Sequence, residues 1–418
     1  MTRDERQEIC RVKWIKNKCR GTIVQPTGAG KTVTALKCLK SIIDKYPTLR
    51  ILVVVPTDNL KTQWRIQLDA WGMELCADVQ VINTVVKHKW NVDIICLDEC
   101  HRYAASTFSE VFKQVQYKYI LGLTATFERL DGKHKLIQKY CPVIDEVTLL
   151  EAKINHWIAD YKEYLVILET DDIDIYKEYN KSFIASFEFF NFDWNLAMSM
   201  IGSTGYIAQN KYRDQLCPNG SYEDKKNVLK NIKYHSMNFM RMIQKRKAYI
   251  NNHPKKIEIA RQIIEARKDC KIITFSNNIK MAESIGMDGS VYTGKDSKKK
   301  ARANLEEFNN AKTGLIHSCS KLNEGADIKG LNVGIILGLD SSEIKAVQRR
   351  GRCIRFEKDK TAEIFNLVIN STVELEWFRK GHPDKNYITI GEEGLQDVLV
   401  GKEPRPYNAH LKNFTFRY

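Results

Sequence analysis

The chain has 418 residues, 43% of them hydrophobic, and a formal net charge of +15. At roughly 150 residues per domain this length predicts two or three domains, and the composition excludes disorder over most of the chain. No run of 18 apolar residues occurs and the charged first twenty residues lack the apolar core of a signal peptide, so the expectation is a soluble, cytoplasmic protein with a polyanionic partner and no membrane.

In chain order, Thr22-Ile23-Val24 leads into Gln25-Pro26-Thr27-Gly28-Ala29-Gly30-Lys31-Thr32, and helical spacing follows from Val33 to Tyr46. Apolar runs at Ile51 to Val55, Val92 to Leu97 and Tyr119 to Leu123 end at Pro56, Asp98 and Thr124. Near-continuous β-rich runs separated by helices predict an α/β unit over 1–147, with a parallel sheet buried on both faces. Ligands of such sheets bind at the carboxyl ends of the strands, where each of these runs turns polar. Residues 148–175 read as a connector with one strand, Tyr164 to Leu168. Residues 176–250 are aromatic and basic without β runs, which predicts a helical insert. From 225 to 256 there are ten Lys or Arg and no Asp or Glu, so this segment is a candidate polyanion surface. The βα alternation returns at Lys271 to Phe275, Gly314 to His317 and Val333 to Leu337, giving a second α/β unit over 251–375. Residues 376–418 read as an irregular tail. Eleven scattered cysteines without a Cys-x-x-Cys pair predict reduced, buried thiols.

The glycine-rich string carries the most chemistry. Gly28 and Gly30 let the backbone turn tightly and present N–H groups to phosphate oxygens, helped by the partial charge of a helix starting near Lys31. Pro26, Thr27 and Ala29 complete the loop. Lys31 is expected to reach the β- and γ-phosphates, and the Thr32 hydroxyl to hold Mg²⁺. Asp98 and Glu99 follow an apolar strand 67 residues after Lys31. Asp98 is expected to anchor Mg²⁺ and Glu99 to orient or deprotonate the attacking water, so the cofactors are ATP and Mg²⁺.

These residues, in this order, resemble superfamily 2 helicases with a DEXH-type box, closest to the branch that includes UvsW-like branch-migration helicases and XPB. Gln7 is similar to the glutamine that reads adenine; Asp4 stands where that family usually has arginine, with Arg3 one place back. Val55-Pro56-Thr57 with Gln63-Trp64, and Thr84, resemble motifs that meet the nucleic-acid backbone. Asp98-Glu99-Cys100-His101 differs from the commoner box only at Cys100. Gly122-Leu123-Thr124-Ala125-Thr126, with Arg129 after it, resembles the motif coupling ATP state to strand movement, and the resemblance assigns His101, Thr124 and Thr126 to that coupling. Phe275-Ser276 resembles a strand-contacting motif. Glu324-Gly325-Ala326-Asp327 resembles a cleft-lining motif, which places Gly325 and Asp327 at the nucleotide. Gln348-Arg349-Arg350-Gly351-Arg352-Cys353-Ile354-Arg355 resembles the arginine-finger motif, with Gln348, Arg352 and Arg355 catalytic.

The resemblance implies two tandem RecA-like domains with the insert between them and ATP in the cleft. Arginines from the second domain would neutralise charge on the transferring phosphoryl group only when that cleft closes. In the insert, Lys225, Lys226, Lys230, Lys233, Arg241, Lys245, Arg246 and Lys247 form a candidate basic face. Phe187, Phe189, Phe190, Phe192 and Trp194 are expected to form the insert's own core. The favoured function is a DNA helicase acting on forks or junctions in replication, recombination or repair, with RNA less favoured. Alternatives are an ATP-switched nucleic-acid clamp and a duplex translocase serving a nuclease partner. The sequence leaves the oligomeric state open and is compatible with a monomer; the last alternative requires a partner chain.

Overall fold

The computed structural model describes residues 1–105, 107–127, 132–202, 204–287, 289–292, 298–319, 328, 330–339, 349–351, 353, 361–382 and 385–407. Among the described residues, eight strands precede residue 150: β1 (Arg20–Val24), β2 (Ile51–Val55), β3 (Ala77–Val81), β4 (Trp90–Asn91), β5 (Ile94–Leu97), β6 (Val115–Gln116), β7 (Tyr119–Thr124) and β8 (Val143–Glu146). Six of them form a parallel sheet in the order β3-β2-β5-β7-β1-β8, while β4 and β6 pair separately. Successive residues face opposite sides. Val53, Cys96 and Leu121 belong to one apolar cluster, and Leu52, Val54, Ile95 and Leu97 to the cluster on the other face. Burial on both sides is why these strands read as unbroken apolar runs.

The second sheet comprises β9 (Asp160–Leu168), β10 (Lys271–Ser276), β11 (Ser290–Tyr292), β12 (Gly314–Cys319), β13 (Val333–Ile336), β14 (Thr361–Ile369) and β15 (Ile388–Ile390). Its order is β11-β12-β10-β13-β14-β9-β15, again all parallel. Two expectations change here. The strand read as a connector is β9, which pairs along its whole length with β14 and belongs to the second sheet. The tail read as irregular forms helix Glu374–Gly381, strand β15 and helix Glu392–Leu399, which pack on that sheet. Its strand has three residues, too short to show a period.

Because β9 precedes the insert and β10 follows it, the insert is anchored on the second sheet. It consists of helices Ile173–Glu188, Trp194–Ser199, Gly205–Leu216 and Tyr222–Asn252. Its core is Phe183, Phe187, Phe190, Tyr212, Ile232 and Phe239, with Phe189 packed against it, as the aromatic run predicted; Phe192 and Trp194 remain substantially exposed, each with one ring edge on Phe187. The 31-residue helix opens on a capping box made by Ser221 and Asp224 and ends where His253 and Pro254 start the next helix, Pro254–Ala266. At 1.5 Å per residue it is roughly 46 Å long. No helix among the described residues is long and apolar enough to cross a membrane.

Candidate nucleotide site and nucleic-acid interface

The carboxyl ends of β1, β5 and β7 lie side by side, with Val24 opposite Thr124 and Leu97 opposite Gly122. The loop after β1 therefore meets the Asp98-Glu99 corner and the Thr124–Thr126 turn. In that loop Gly28 and Gly30 have φ of 91° and 93°, in the left-handed region where a Cβ is strained. Gly30 ends the loop, and helix Lys31–Ile43 starts there. A Cβ on Gly30 would lie 2.6 Å from Gln7 Nε2 and 3.6 Å from Arg3 Cδ. Both N-terminal side chains thus border the loop, and Gln7 donates to Gly30 O at 3.4 Å. Arg3, one place off the family position, reaches the same spot and donates onward to Trp157 O. Gln25 is buried, and its Oε1 accepts from Thr34 Oγ1 at 3.0 Å. That bond ties the loop's first residue to the helix after it, a role glycine could not fill.

Asp98 is buried, with Trp64 Nε1 donating to its Oδ2 at 2.8 Å and Glu99 N to its Oδ1 at 3.0 Å. Burial first, and then the adjacent Glu99 carboxylate, push the Asp98 carboxyl up to about 6; the Trp64 bond and Lys31 oppose the rise. Glu99 has a left-handed backbone, φ 50°, which turns its carboxylate back toward the loop. Lys31 Nζ lies 3.9 Å from Glu99 Oε1. Glu99 Oε2 is buried and finds no hydrogen-bond partner among the described residues. Glycine amides at a helix start, a lysine, one carboxyl raised by burial with a second carboxylate beside it, and an unsatisfied carboxylate oxygen fit a nucleotide triphosphate with a magnesium ion and a water. Thr32 opens the helix beside Lys31, half-buried.

His101 is buried, and its Nδ1 lies 2.8 Å from Thr124 Oγ1. That hydroxyl donates to Thr126 O at 2.8 Å and accepts from Thr126 N at 3.2 Å. A His101 tautomer with its proton on Nδ1 donates to this oxygen and leaves the hydroxyl free to keep its bond to Thr126 O. The same Nδ1 is 3.5 Å from Glu99 Oε2. His101, Thr124 and Thr126 are linked by hydrogen bonds into the turn after β7, and this chain begins beside Glu99 without a hydrogen bond to it. Cys100, the departure from the family box, is buried against Gly122; a Cβ on that glycine would be 3.2 Å from its Sγ.

The second domain faces this loop directly. A Cβ on Gly351 would stand 2.3 Å from Thr27 Cβ, so the start of the arginine-bearing segment rests on the phosphate loop with no room for a larger residue. Arg349 donates to Gly338 O and, at 3.1 Å, to Asn277 Oδ1. Arg350 Nη1 is 3.6 Å from Glu163 Oε2, and Glu163 Oε1 lies 2.8 Å from His382 Nε2. Gln348, Arg352, Arg355, Gly325, Asp327 and Arg129 lie outside the described residues.

The proposed nucleic-acid contacts divide. Thr84 is exposed; Thr57 is half-exposed, its hydroxyl capping helix Asp58–Ala70. Ser276 corrects the expectation of a strand contact: it is fully buried, donating to Asn278 O at 3.0 Å. Arg246 is a second correction. Its guanidinium is buried 4.2 Å from the centroid of Phe183, because it shares the face of Phe239 and Met242 that packs into the insert core. Lys245 and Lys247 remain exposed, the former over the ring of Tyr179, together with Lys226, Lys230, Lys233 and Arg241. An open cleft of about 400 Å³ beside Arg241 is lined by Met200, Met237 and Met240. Sequence reasoning missed Trp64 as the partner of Asp98 and Asn277 as the partner of Arg349.

Residues 255–357 match the helicase conserved C-terminal domain, and residues 2–89 and 74–129 match the res subunit of type III restriction enzymes. The chain is 28% identical over 388 residues to the DNA 3'-5' translocase XPB2 of Sulfurisphaera tokodaii, covering 88% of this chain and 81% of that protein. It is 25% identical over 413 residues to a putative ATP-dependent RNA helicase of Acanthamoeba polyphaga mimivirus, covering 94% and 68%. The fold is similar to the Hef helicase domain of Pyrococcus furiosus, with a TM-score of 0.54, 17% identity, and 89% and 96% of the two chains covered.

Proposed function

Since the chain is an ATP-dependent superfamily 2 helicase related to the XPB-like proteins, we propose that it moves on DNA and unwinds or remodels forked and branched DNA. The observation that carries this reading is the contact of Gly351 with Thr27. It supports a site whose two halves come from different domains, so that nucleotide occupancy and domain closure are one event.

In this reading Gln7 reads the adenine edge, Pro26 to Gly30 wrap the phosphates with backbone N–H groups, and Lys31 adds its charge. Thr32 and Asp98 would hold a magnesium ion, which would supply charge withdrawal from the phosphate oxygens. Glu99 Oε2 takes a proton from, or orients, the attacking water. Gln348, Arg352 and Arg355, with Gly325 and Asp327, close the site from the second domain, as the family resemblance implies. The chain from His101 to Thr124 and Thr126, which begins beside Glu99, reports the state of the hydrolytic corner to the DNA-facing turn. Thr57, Thr84 and Arg129 contact the strand backbone. Lys226, Lys230, Lys233, Arg241, Lys245 and Lys247 supply a non-specific phosphate grip, because backbone contacts carry no sequence information. The translocase name of the Sulfurisphaera relative supports DNA over RNA.

The match to a restriction-enzyme subunit favours a second reading, translocation on intact duplex for a partner nuclease. Fork unwinding beside displacement of a triplex-forming strand tests both. The first reading expects ATP-dependent fork unwinding that is lost in Lys31→Ala and Glu99→Gln. Triplex displacement without fork unwinding assigns the second.

A further inference from the structure

The long basic helix of the insert ends beside the segment that leads to the arginines, and one side chain joins the two. Asn277 follows β10 directly. Its Nδ2 donates to Asn251 Oδ1 at 3.1 Å, in the last turn of helix Tyr222–Asn252, and to Leu339 O at 2.8 Å. Its Oδ1 accepts from Arg349 Nη2 at 3.1 Å. Both amide protons and the amide oxygen are thus committed, each to a different element, which fixes the orientation of the group. Arg349 is buried and also donates to Gly338 O. Gly338 has to be glycine for this approach, since a Cβ there would lie 2.6 Å from Asn277 Cγ. The next residue, Asn278, repeats the tie to the insert through Asn252 Oδ1 at 3.1 Å while capping helix Ile279–Ile285. Two positions beyond Arg349, Gly351 rests on Thr27 of the phosphate loop.

From this geometry we infer that Asn277 is a positioning residue linking the insert to the arginine-bearing segment, so that nucleic acid held along helix Tyr222–Asn252 promotes ATP turnover through Asn251, Asn277 and Arg349. The inference deepens the proposed function and rests on nucleic acid binding at the insert. A displacement of the helix end is felt at Asn251. It is passed on because one amide group holds all three partners, so a shift of Asn251 turns the Asn277 amide against Leu339 O and Arg349. The Arg349 side chain then sets where the segment meets Thr27.

The test is steady-state ATP turnover of the full chain, with and without fork DNA, in wild type, Asn251→Ala and Asn277→Ala, with DNA affinity and melting temperature measured on the same samples. Asn251→Ala removes the bond from Asn277 to the insert and leaves that of Asn278 to Asn252 in place. It is expected to keep turnover without DNA within about twofold and DNA affinity within about twofold, yet to lower DNA stimulation about fivefold, the effect of losing one hydrogen bond. Asn277→Ala also frees Arg349 and is expected to lower turnover without DNA about tenfold with KM for ATP nearly unchanged. Unchanged stimulation in Asn251→Ala, or unchanged turnover in Asn277→Ala with only a lower melting temperature, overturns the inference. Turnover without DNA reads the Asn277 arm even where DNA is the wrong substrate. A wild type that no nucleic acid stimulates counts against the proposed function, while the Asn277 arm still stands or falls alone.

Discussion

Trp64 donates its indole N–H to Asp98 Oδ2 at 2.8 Å, joining a helix that borders the candidate strand path to the acidic corner of the nucleotide site. The bond opposes the burial that pushes Asp98 up to about 6. Removing it in Trp64→Phe lets the carboxyl of the metal-free site rise further, so the acidic limb of kcat/KM for magnesium-ATP, which reports the free enzyme, is expected to move to higher pH. Turnover at pH 7 is expected to fall by about tenfold, the worth of one hydrogen bond to a charged group. A pH profile that keeps its acidic limb contradicts this role.

Asp98 also implies a conflict between function and stability. Between pH 3.8 and about 6 an unfolded chain releases the proton that the folded site retains, so stability falls as pH rises through that window. Asp98→Asn has no proton to lose and keeps an acceptor for Trp64. Without magnesium it is expected to melt higher than wild type at pH 7, by up to roughly 3 kcal/mol, with the gain vanishing below about pH 4. Its ATP turnover is expected to be lost. Melting curves at the two pH values check the sign.

The His101–Thr124 contact predicts uncoupling. Thr124→Val keeps the shape but removes the oxygen that His101 and Thr126 share. ATP turnover is expected to stay within about threefold while strand displacement falls by tenfold or more, roughly the worth of two buried hydrogen bonds. Equal loss of both activities would place the residue in hydrolysis alone.

In the insert, exposed and buried cations separate cleanly. Replacing Lys226, Lys230, Lys233 and Arg241 by alanine is expected to weaken DNA binding and lower the slope of log affinity against log salt by about 3. Arg246→Met is expected to lower the melting temperature and leave that slope unchanged, since its guanidinium lies over Phe183 inside the insert. An unchanged slope in the fourfold variant assigns those lysines to solvent.

How much of this was legible in the sequence depends on distance along the chain. That the glycine-rich loop and Asp98-Glu99 stand at strand ends was readable because each lies in adjacent residues after an apolar run. The alternating sheets were readable from those runs. β9 was readable as a strand at Tyr164 to Leu168 but not as part of the second sheet, because its partner β14 lies about 200 residues away and nothing local marks the pairing. Arg246 was misassigned because its charge outweighed its position: four after Met242 and seven after Phe239, it falls on the buried face of the helix. Ser276 was misread for a related reason, since a strand-end serine hides its hydroxyl when the next turn offers a carbonyl. Pairs such as Trp64 with Asp98 and Asn277 with Arg349 depend on strand order and have no spacing rule.

The central claim is that hydrolysis is completed between two domains and is driven by nucleic acid. Its most direct measurement is ATP turnover across single-stranded DNA, duplex, forks, four-way junctions and RNA, in wild type and in Gly351→Ala, whose added Cβ collides with Thr27. Stimulation by DNA of at least about tenfold, greatest with forks or junctions and abolished in Gly351→Ala, is the predicted result. Turnover indifferent to every nucleic acid, or a Gly351→Ala chain stimulated like wild type, would contradict it.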